Sequence, residues 1–382
     1  ISFGTAVVFQ SSLIDYISIT FDSTLNKVVI AYRNEDNFDY GTAIVGTVSG
    51  TSISFGTAVV FATINSTYTA TTFDSNSNKI VIAYRENAGG YLGKAIVGTV
   101  SGTSISFGSA VAFGGSSAYT SIGFDSNLNK VVISYRNESN LLYGTAVVGT
   151  VSGTSISFGT TVVFASSNST FTSTAFDSNS NKIIIGYQEA AVAEHGKAII
   201  GTVSGTSISF GSAVYFEAAS TSYINIVFDS NAKKAVISYK DAGNSNYGTL
   251  IVGTVSGTSI SFGSPVVFEN AAVDYTSAIY DATNKKVVIS YRDIGGSLYG
   301  TSIVFQNAST NSADFIGITA EAISDTATGA VNVYGGINEA QTGLTIGSDY
   351  YVQNDGSLST TASDVKVGQA ISATTINMMD LT

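Results

Sequence analysis

The chain contains no cysteine, no tryptophan, one proline and one histidine among 382 residues. Without cysteine, neither a disulfide framework nor a thiolate metal site can form. Charged residues make up only 11% of the sequence, an unusually low share for a cytosolic globular protein. No apolar run approaches the roughly 20 residues that a membrane-spanning helix needs. These absences exclude a disulfide-rich module and predict no insertion into a membrane.

Positive charge is also scarce. Sixteen basic residues stand against 27 acidic ones, which gives a net charge of −11. A nucleic acid would be repelled by such a surface unless the basic residues formed a local stripe, and the sequence contains no such stripe. Nucleic acid is therefore not an expected partner.

What the sequence does contain is a long internal repeat. The phrase G-T-V-S-G-T-S-I-S-F-G is complete at residues 46–56 and recurs along the chain at intervals of 51 or 52 residues. An internal repeat of this length decides the architecture. The chain begins inside a copy of the phrase, which indicates processing or an upstream segment. Counted from the isoleucine of I-S-F-G, the copies start at Ile1, Ile53, Ile105, Ile156, Ile208 and Ile260.

Each repeat contains four short stretches rich in β-branched and aromatic residues, and none has a helical period. In the first copy these predicted strands, S1 to S4, lie at 1–9, 16–21, 27–33 and 41–48. An Asp-Ser-Thr-Leu-Asn turn joins S2 to S3, and Ser-Gly-Thr-Ser joins S4 to the next S1, so both connections favour hairpins. The predicted order within a sheet is S2, S3, S4 and the S1 of the following copy.

Four-stranded sheets at a period near 50 residues are typical of a β-propeller. The sequence therefore predicts an all-β fold, with a six-bladed propeller over residues 1–306 and a small β-sandwich or barrel-like domain over 307–382. The sixth copy has no S1 of its own, so residues 1–9 are expected to complete the last blade and leave no free edge. The alternative is an open stack of hairpins with a frayed first strand.

Two sets of connections, S1 to S2 and S3 to S4, vary between copies, whereas the other two hardly change. The variable sets are expected on one face, where diverse loops on a fixed scaffold favour recognition. Loose loops also tolerate more substitutions than tight turns, which is the alternative explanation. Exposed aromatic and apolar residues in these loops suit sugar binding, and the candidates are Phe38, Tyr91, Leu141 and Leu142.

A ring of basic residues is predicted at the end of S3. Arg33, Arg85, Arg136 and Arg292 occupy this position in four copies, and a carboxylate follows within two residues. Such a ring would clamp an anionic sugar. Repeated pairs of Arg and carboxylate also form surface ion pairs that contribute roughly 0 to 1 kcal/mol, and this alternative stays open.

Catalytic chemistry has little support. A glycosidase needs one pair of carboxylates, one of them with a raised pKa, whereas the acidic residues here recur in register through all copies. His195 has no second His or Cys for a metal site or a catalytic triad, and we expect it to be a solvated loop residue. The Asp-rich turns lack the spacing of a calcium loop. No cofactor, no metal and no enzymatic activity are predicted.

The composition changes near residue 312. The tail carries G-L-x-x-G-x-x-Y-Y-V at 343–352, D-G-x-L-S-T at 355–360 and V-G-x-A-I-S at 367–372. In this order the motifs resemble a module near the C-termini of tailed-phage fibre and other virion appendage proteins, over about 70 residues. The repeats likewise resemble propeller repeats of phage structural proteins. The resemblance implies a structural role in a virion or appendage.

Together these features predict a non-enzymatic structural and adhesive subunit of a phage tail fibre or other extracellular appendage. Its expected partners are a host-surface glycan or receptor and other virion or appendage proteins, and the subunit is expected to be a homo-oligomer. Its expected location is extracellular or in the virion. Two alternatives remain, a self-assembling extracellular filament subunit and a polysaccharide-acting propeller enzyme of the glycosidase or lyase class.

Overall fold

The computed structural model describes residues 4–190, 193–296, 298–307, 318–319, 331–333, 335–353, 357–361 and 365–378. The chain divides into two compact units, Ile1–Phe305 and Gln306–Thr382, which we call the repeat domain and the tail domain. This division lies one residue from the predicted boundary.

The repeat domain is built from 23 strands and a short 3-10 helix at Ala242–Asn244. The strands that supply the innermost position of each repeat unit are β1 (Ile14–Asp22), β5 (Val59–Asp74), β9 (Val111–Asp125), β13 (Val162–Asp177), β17 (Val214–Asp229) and β21 (Val266–Asp281). The second strands are β2 (Lys27–Asn34), β6 (Lys79–Glu86), β10 (Lys130–Asn137), β14 (Lys182–Glu189), β18 (Lys234–Asp241) and β22 (Lys286–Asp293). The third strands are β3 (Tyr40–Ser49), β7 (Leu92–Ser101), β11 (Tyr143–Ser152), β15 (His195–Ser204), β19 (Tyr247–Ser256) and β23 (Tyr299–Phe305). Short outer strands follow as β4 (Ser52–Phe55), β8 (Ser104–Phe107), β12 (Ser155–Phe158), β16 (Ser207–Phe210) and β20 (Ser259–Phe262).

The strand order within a unit is the predicted one. In the first unit β1 pairs with β2, β2 with β3, and β3 with both β4 and the first half of β5, all antiparallel. The next four units repeat this pattern, as the pairings of the third unit illustrate. The all-β, repeated antiparallel architecture is therefore confirmed.

The predicted S1 to S2 loop is instead a strand. β5 runs without a break from Val59 to Asp74; its first part pairs with β3 and its second part with β6. The register shifts between Thr67 and Ala70, so a bulge turns the strand from one unit into the next. Ser and Thr fill this segment, and these residues accept an extended backbone as readily as a loop. One of the two variable connections is thus rigidly held.

The connection from the first to the second strand is a tight turn capped by aspartate. Asp22 Oδ1 accepts hydrogen bonds from the backbone N–H groups of Thr24 and Leu25 at 3.0 and 2.9 Å. The same bonds recur in every later unit, beginning with Asp74. Each aspartate therefore caps its own turn, which explains why this turn is so uniform.

The apolar core lies between neighbouring units. The middle strands are apolar on both faces, so Val29 and Ala31 of β2 pack towards Ile80 and Ile82 of β6 in one buried cluster. Equivalent clusters join each unit to the next. Each unit therefore depends on its neighbours to bury its faces, as in other repeat architectures.

The six innermost strands, together with Val288 and Ser290 of β22, line a cavity of about 630 Å³. Side chains link these strands in sequence: Ser18 Oγ accepts from the backbone N–H of Thr71 at 3.0 Å. Ser173 and Asn225 accept equivalent bonds from the units that follow them. Small hydroxyl and amide side chains thus hold neighbouring inner strands close together, as expected for strands around a narrow channel.

The sheet is open between the sixth and first units, where a closing strand was predicted. Residues 1–3 lie outside the described residues, and Gly4 to Phe9 form no strand. Within the described residues β23 pairs with β22 alone. The segment stays on the first unit because the Phe9 ring packs against Tyr32 at 5.5 Å and Phe55 at 5.7 Å.

Among its described residues, the tail domain contains short strands in two small sheets. A two-stranded sheet joins β24 (Ile318–Thr319) and β25 (Val331–Asn332). A five-stranded sheet joins β26 (Ile337–Asn338), β27 (Asp349–Val352), β28 (Leu358–Ser359), β29 (Lys366–Ala370) and β30 (Ile376–Met378). The motifs at 343–352 and 367–372 supply β27 and β29, and the motif at 355–360 lies partly outside the described residues.

Candidate functional site

The connections between second and third strands emerge at one end of the units, which we call the loop face. The capped aspartate turns lie at the opposite end. Within the loop face, the structure adds a feature that sequence reasoning missed. Six aromatic residues, one at the bulge of each inner strand, form what we call the collar: Tyr16, Tyr68, Tyr119, Phe171, Tyr223 and Tyr275.

The collar residues pack ring to ring. Ring centroids of successive members lie 5.2 Å apart for Tyr16 and Tyr68, 5.3 Å for Tyr68 and Tyr119, and 4.8 Å for Tyr223 and Tyr275. All six have positive φ, between 47° and 53°. An L-residue in this region costs on the order of 1 kcal/mol, and glycine would avoid that cost. Retaining an aromatic ring at all six bulges indicates that the rings themselves are needed.

The predicted basic residues lie over the collar rings. The guanidinium carbon of Arg33 lies 5.2 Å from the Tyr16 ring centroid, and that of Arg136 lies 4.8 Å from the Tyr119 centroid. Arg85 and Arg292 stack on their collar tyrosines at 4.6 and 5.0 Å. Each of the four predicted arginines therefore makes a cation–π contact with the collar tyrosine of its own unit.

The carboxylates near these arginines differ from unit to unit. Arg33 donates to both oxygens of Asp15 at 2.7 Å and lies 3.2 Å from Glu35. Glu35 and Glu138 pair with the arginine of their own unit, as the sequence suggested. Glu86 and Glu189 instead pair with Lys94 and Lys197 of the third strands. Asp274 receives both Lys240 and Arg292, at 2.9 and 2.5 Å.

Three carboxyl groups illustrate the electrostatics of the loop face. Burial raises the pKa of Asp15, and the neighbouring carboxylates Glu35 and Asp39 add to this beyond what Arg33 offsets. Burial also acts to raise the pKa of Glu138, but hydrogen bonds from Arg136 and Ser116 outweigh it and leave that pKa below its usual value. The pKa of Asp274 is also below its usual value, because hydrogen bonds from Lys240 and Arg292 outweigh the effect of burial. The surroundings of Arg33 thus hold excess negative charge.

Replacing Asp274 by asparagine is expected to lower the free energy of unfolding at pH 7 by about 1–3 kcal/mol, because two cations lose their shared acceptor. A lowered folded-state pKa stabilises the protein above the unfolded pKa, near 3.9, and this contribution disappears as the pH falls through the folded-state pKa. The difference between parent and variant, measured by denaturant unfolding, should therefore shrink below about pH 4. The control Asp36→Asn, at an exposed loop residue, should leave the free energy of unfolding unchanged at pH 7 and at pH 2.5. A loss for Asp274→Asn that is as large at pH 2.5 as at pH 7 would contradict the electrostatic account.

The four predicted loop residues lie just before a third strand: Phe38 and Leu141 two residues before it, Tyr91 and Leu142 directly before it. Phe38, Leu141 and Leu142 have φ of 53°, 52° and 63°, and Tyr91 has φ of 58°. Phe38 is 78% exposed, Leu141 73% and Tyr91 51%. Each loop thus ends in strained left-handed residues, and in the first three units these carry large apolar side chains into solvent. Backbone strain together with exposed apolar surface is typical of ligand-binding positions.

His195 does not lie free in a loop as expected. It begins β15, is half-buried, and packs edge-on against Tyr215 with ring centroids 5.4 Å apart. Its strand position follows from pairing with Glu189 across the sheet. In the part of the chain that the structure describes, no three His, Asp or Glu side chains come together to hold a metal ion. No helix among the described residues is long and apolar enough to cross a membrane.

Comparison with known proteins bears on the fold alone. No family model matches the sequence, and no curated protein sequence matches it. A crystal structure of a protein of unknown function from Dyadobacter fermentans is similar with a TM-score of 0.55 and 11% identity, covering 77% of this chain and 95% of that one. AofleA from Arthrobotrys oligospora and a mutant of it give TM-scores of 0.48 and 0.49, with 10% and 11% identity, over 76% of this chain and 82% of theirs. The repeat domain therefore has a fold already seen in a solved structure, and its function has to be argued from its own residues.

Proposed function

We propose that this chain is a non-enzymatic adhesive subunit of a phage tail fibre or another extracellular appendage, and that its loop face binds a host-surface glycan. The observation that carries the proposal is the set of exposed apolar residues in strained loop positions beside a ring of stacked arginines. Phe38, Tyr91 and Leu141 would gain little as scaffold residues, because they are largely exposed and pay a conformational cost.

The finer architecture that we propose is a six-bladed β-propeller. Six inner strands around one cavity support it, as do the apolar cores between neighbouring units. In a propeller, connections at one end of the blades form a single surface around the channel mouth. The collar and the loop residues would then share that surface.

A glycan suits the loop face better than a flat protein surface does. Tyrosine and phenylalanine rings stack on the C–H faces of sugars, and amides and carboxylates hydrogen-bond their hydroxyl groups. Asn65 and Asn87 lie beside Arg85, where the Asn87 amide donates to Asn65 Oδ1 at 2.6 Å. In the second unit a ring, two amides and a cation therefore lie together, which are the groups that contact a sugar ring and its hydroxyl groups.

The appendage role is supported by the resemblance of the tail motifs to phage fibre modules. Two of those motifs, at 343–352 and 367–372, supply paired strands of one small sheet, β27 and β29. They are therefore part of a folded module. Extracellular location, other appendage proteins as partners and a homo-oligomeric state belong to the same proposal.

A glycan array with the purified chain is the direct test. We expect binding of the parent chain to a defined group of glycans, and a loss of at least about tenfold in apparent affinity for Phe38→Ala or Tyr91→Ala, since each removes one stacking surface. Lys130→Gln lies at the opposite end of its unit, where its ammonium group donates to Thr150, and should bind like the parent. No bound glycan, or equal binding by all variants, would contradict the proposal.

A second candidate, self-assembly into a filament, is favoured by one observation. Among the described residues the outer edge of β23 carries no strand, and an unpaired edge can add a strand from another copy. Gel filtration at increasing protein concentration distinguishes the two. Filament assembly predicts a growing species, whereas a glycan-binding subunit with a fixed oligomeric state elutes at one position.

A further inference from the structure

Arg85 differs from the other cations of the loop face in its hydrogen-bond partners. Its Nε donates to Thr67 Oγ1 at 3.0 Å and to Asn87 Oδ1 at 2.7 Å, and both acceptors are neutral. Its nearest carboxylate oxygen, on Glu138, lies 3.6 Å from Nη1. Within the described residues neither Nη atom of Arg85 donates a hydrogen bond. This guanidinium therefore lacks a close counter-charge of its own.

Every other cation of the loop face that the structure describes lies 2.9 Å or less from a carboxylate oxygen. Arg33 contacts Asp15, and Arg292 and Lys240 share Asp274. The remaining pairs are Arg136 with Glu138, Lys94 with Glu86, and Lys197 with Glu189.

The difference arises at one position of the inner strand. Asp15 lies opposite Arg33 in the sheet, and Asp274 lies opposite Arg292. Thr67 takes this position opposite Arg85. A threonine hydroxyl accepts a hydrogen bond but brings no negative charge. The second unit therefore lacks the counter-ion that the first and sixth units have at this position.

Glu138 does not replace the missing carboxylate. Its Oε1 accepts from Arg136 at 2.5 Å and its Oε2 from Ser116 at 3.0 Å. Two guanidinium groups thus share one carboxylate, which is already bonded more closely elsewhere. This sector keeps a positive charge, in contrast to the excess negative charge around Arg33.

Two aromatic rings hold Arg85 in place. Its guanidinium carbon lies 4.6 Å from the Tyr68 centroid and 5.2 Å from the Tyr91 centroid. Contact with two rings restricts the position of the group, and the Nε hydrogen bonds restrict its rotation. Tyr91 is also 51% exposed, so part of its surface remains for a ligand. A pre-positioned guanidinium with open donors is suited to a bidentate carboxylate.

We infer that Arg85 and Tyr91 form a binding site for an acidic sugar, whose carboxylate bonds the Nη groups of Arg85 while its ring stacks on Tyr91. The inference rests on the proposed glycan-binding function and adds which of the six units binds and which chemical group it recognises. The ligand is expected to be small, because the carboxylates around Arg33 would repel a long polyanion.

Methyl β-D-glucuronide and methyl β-D-glucoside form a matched pair of probes, because they differ only in the carboxylate. By titration calorimetry or ligand-observed NMR on the full chain, we expect the glucuronide to bind at least about tenfold more tightly, which corresponds to one charge-assisted hydrogen-bond pair. Arg85→Gln should abolish this preference, and Lys130→Gln should retain it. Raising the salt concentration should weaken glucuronide binding only.

A second variant tests the site without removing the arginine. Thr67→Asp introduces the residue that stands at this position in the first and sixth units, where it pairs with Arg33 and Arg292. We expect the new carboxylate to occupy Arg85, to leave the melting temperature unchanged or higher, and to reduce glucuronide binding at least about tenfold. Tyr91→Phe should still bind, whereas Tyr91→Ala should not.

The outcomes separate this inference from the proposed function. Equal binding of both probes, or full glucuronide binding by Thr67→Asp, overturns the carboxylate site. Binding of neither probe by a chain that does bind glycans on the array also overturns it and leaves the glycan-binding proposal standing. A chain that binds nothing in either experiment contradicts both.

Discussion

Replacement of Phe9 by alanine is expected to lower the free energy of unfolding of the repeat domain by about 3–5 kcal/mol, the usual loss for a buried phenylalanine. This is a large effect for a residue so near the start of the described chain. It follows from the closed propeller that we propose, in which Phe9 becomes part of the core of the sixth unit. Chemical denaturation followed by circular dichroism measures it.

The contacts of Phe9 support this expectation. In the second unit Phe61, on the strand that comes from the first unit, packs on Tyr84 at 5.2 Å and Phe107 at 5.8 Å. Phe9 makes the same two contacts with Tyr32 and Phe55 of the first unit. The segment before β1 therefore already lies where the outer strand of a preceding unit would lie, and in a closed ring that preceding unit is the sixth.

A second contact repeats in the same way. A side chain at Gly56 would overlap the backbone oxygen of Thr103, and one at Gly4 would overlap that of Thr51. Because Gly4 and Phe9 match the repeat at two separate points, the match extends over the whole segment. In the closed propeller that we propose, this match would set the register of the segment against β23.

Val8→Ala is the matched control for Phe9→Ala. Val8 is 78% exposed, and its equivalents Val60 and Val163 are also exposed in units whose outer strand is paired. In the third unit this position is occupied by Ala112. The control should therefore change stability by no more than about 0.5 kcal/mol, and a Phe9→Ala loss no larger than that would contradict closure.

The repeat allowed most of the architecture to be predicted from the sequence. Strand positions, the order within each unit and the capped aspartate turns follow from local patterns, because turn residues and β-branched runs act over short distances. The continuous crossover strand was not predicted. Segment 62–67 pairs with β3 and β6, which belong to different units, and no local pattern indicates a change of partner.

The collar could have been found from the sequence only in part. An aromatic residue recurs at Tyr16, Tyr68 and their equivalents every 51 or 52 residues, and that spacing was visible. The positive φ of these residues was not visible in the sequence, because glycine and asparagine are the usual signals for it. Here tyrosine and phenylalanine adopt it at a bulge. Each of the four predicted arginines lies over a collar ring, but which of them lacks a close carboxylate depends on the residue opposite in the sheet.

Substitution of Gly300 by valine is expected to destabilise the repeat domain by about 1–3 kcal/mol, the cost of overpacking a filled core. In five units the glycine at this position of the third strand lies under a phenylalanine from the first part of the next unit's inner strand. A Cβ at Gly41 or Gly248 would lie 2.4 or 2.5 Å from that ring. Gly300 is the sixth such glycine, and nothing lies within 4 Å of a Cβ built there. Closure would place Phe9 in this space.

An open sheet gives the opposite result. With no strand beside β23, a valine at position 300 meets open space and fits the strand better than glycine does, so stability would stay the same or rise. Gly248→Val serves as the reference, because Phe268 already fills its site. A Gly300→Val variant as stable as the parent, beside a destabilised Gly248→Val variant, would rule out closure.

The double variant identifies the phenylalanine responsible. If Phe9 lies on Gly300, removing its ring makes room for the valine, and Phe9→Ala with Gly300→Val should lose less stability than the sum of the two single losses, by about 0.5–3 kcal/mol. The two residues are 291 positions apart in the sequence, and an interaction energy of that size between them requires direct contact. Strict additivity would mean that Phe9 stabilises the first unit alone. If the coupling appears only as the chain concentration rises, and gel filtration then shows a dimer, the strand beside β23 comes from a second copy, because closure within one chain does not depend on concentration.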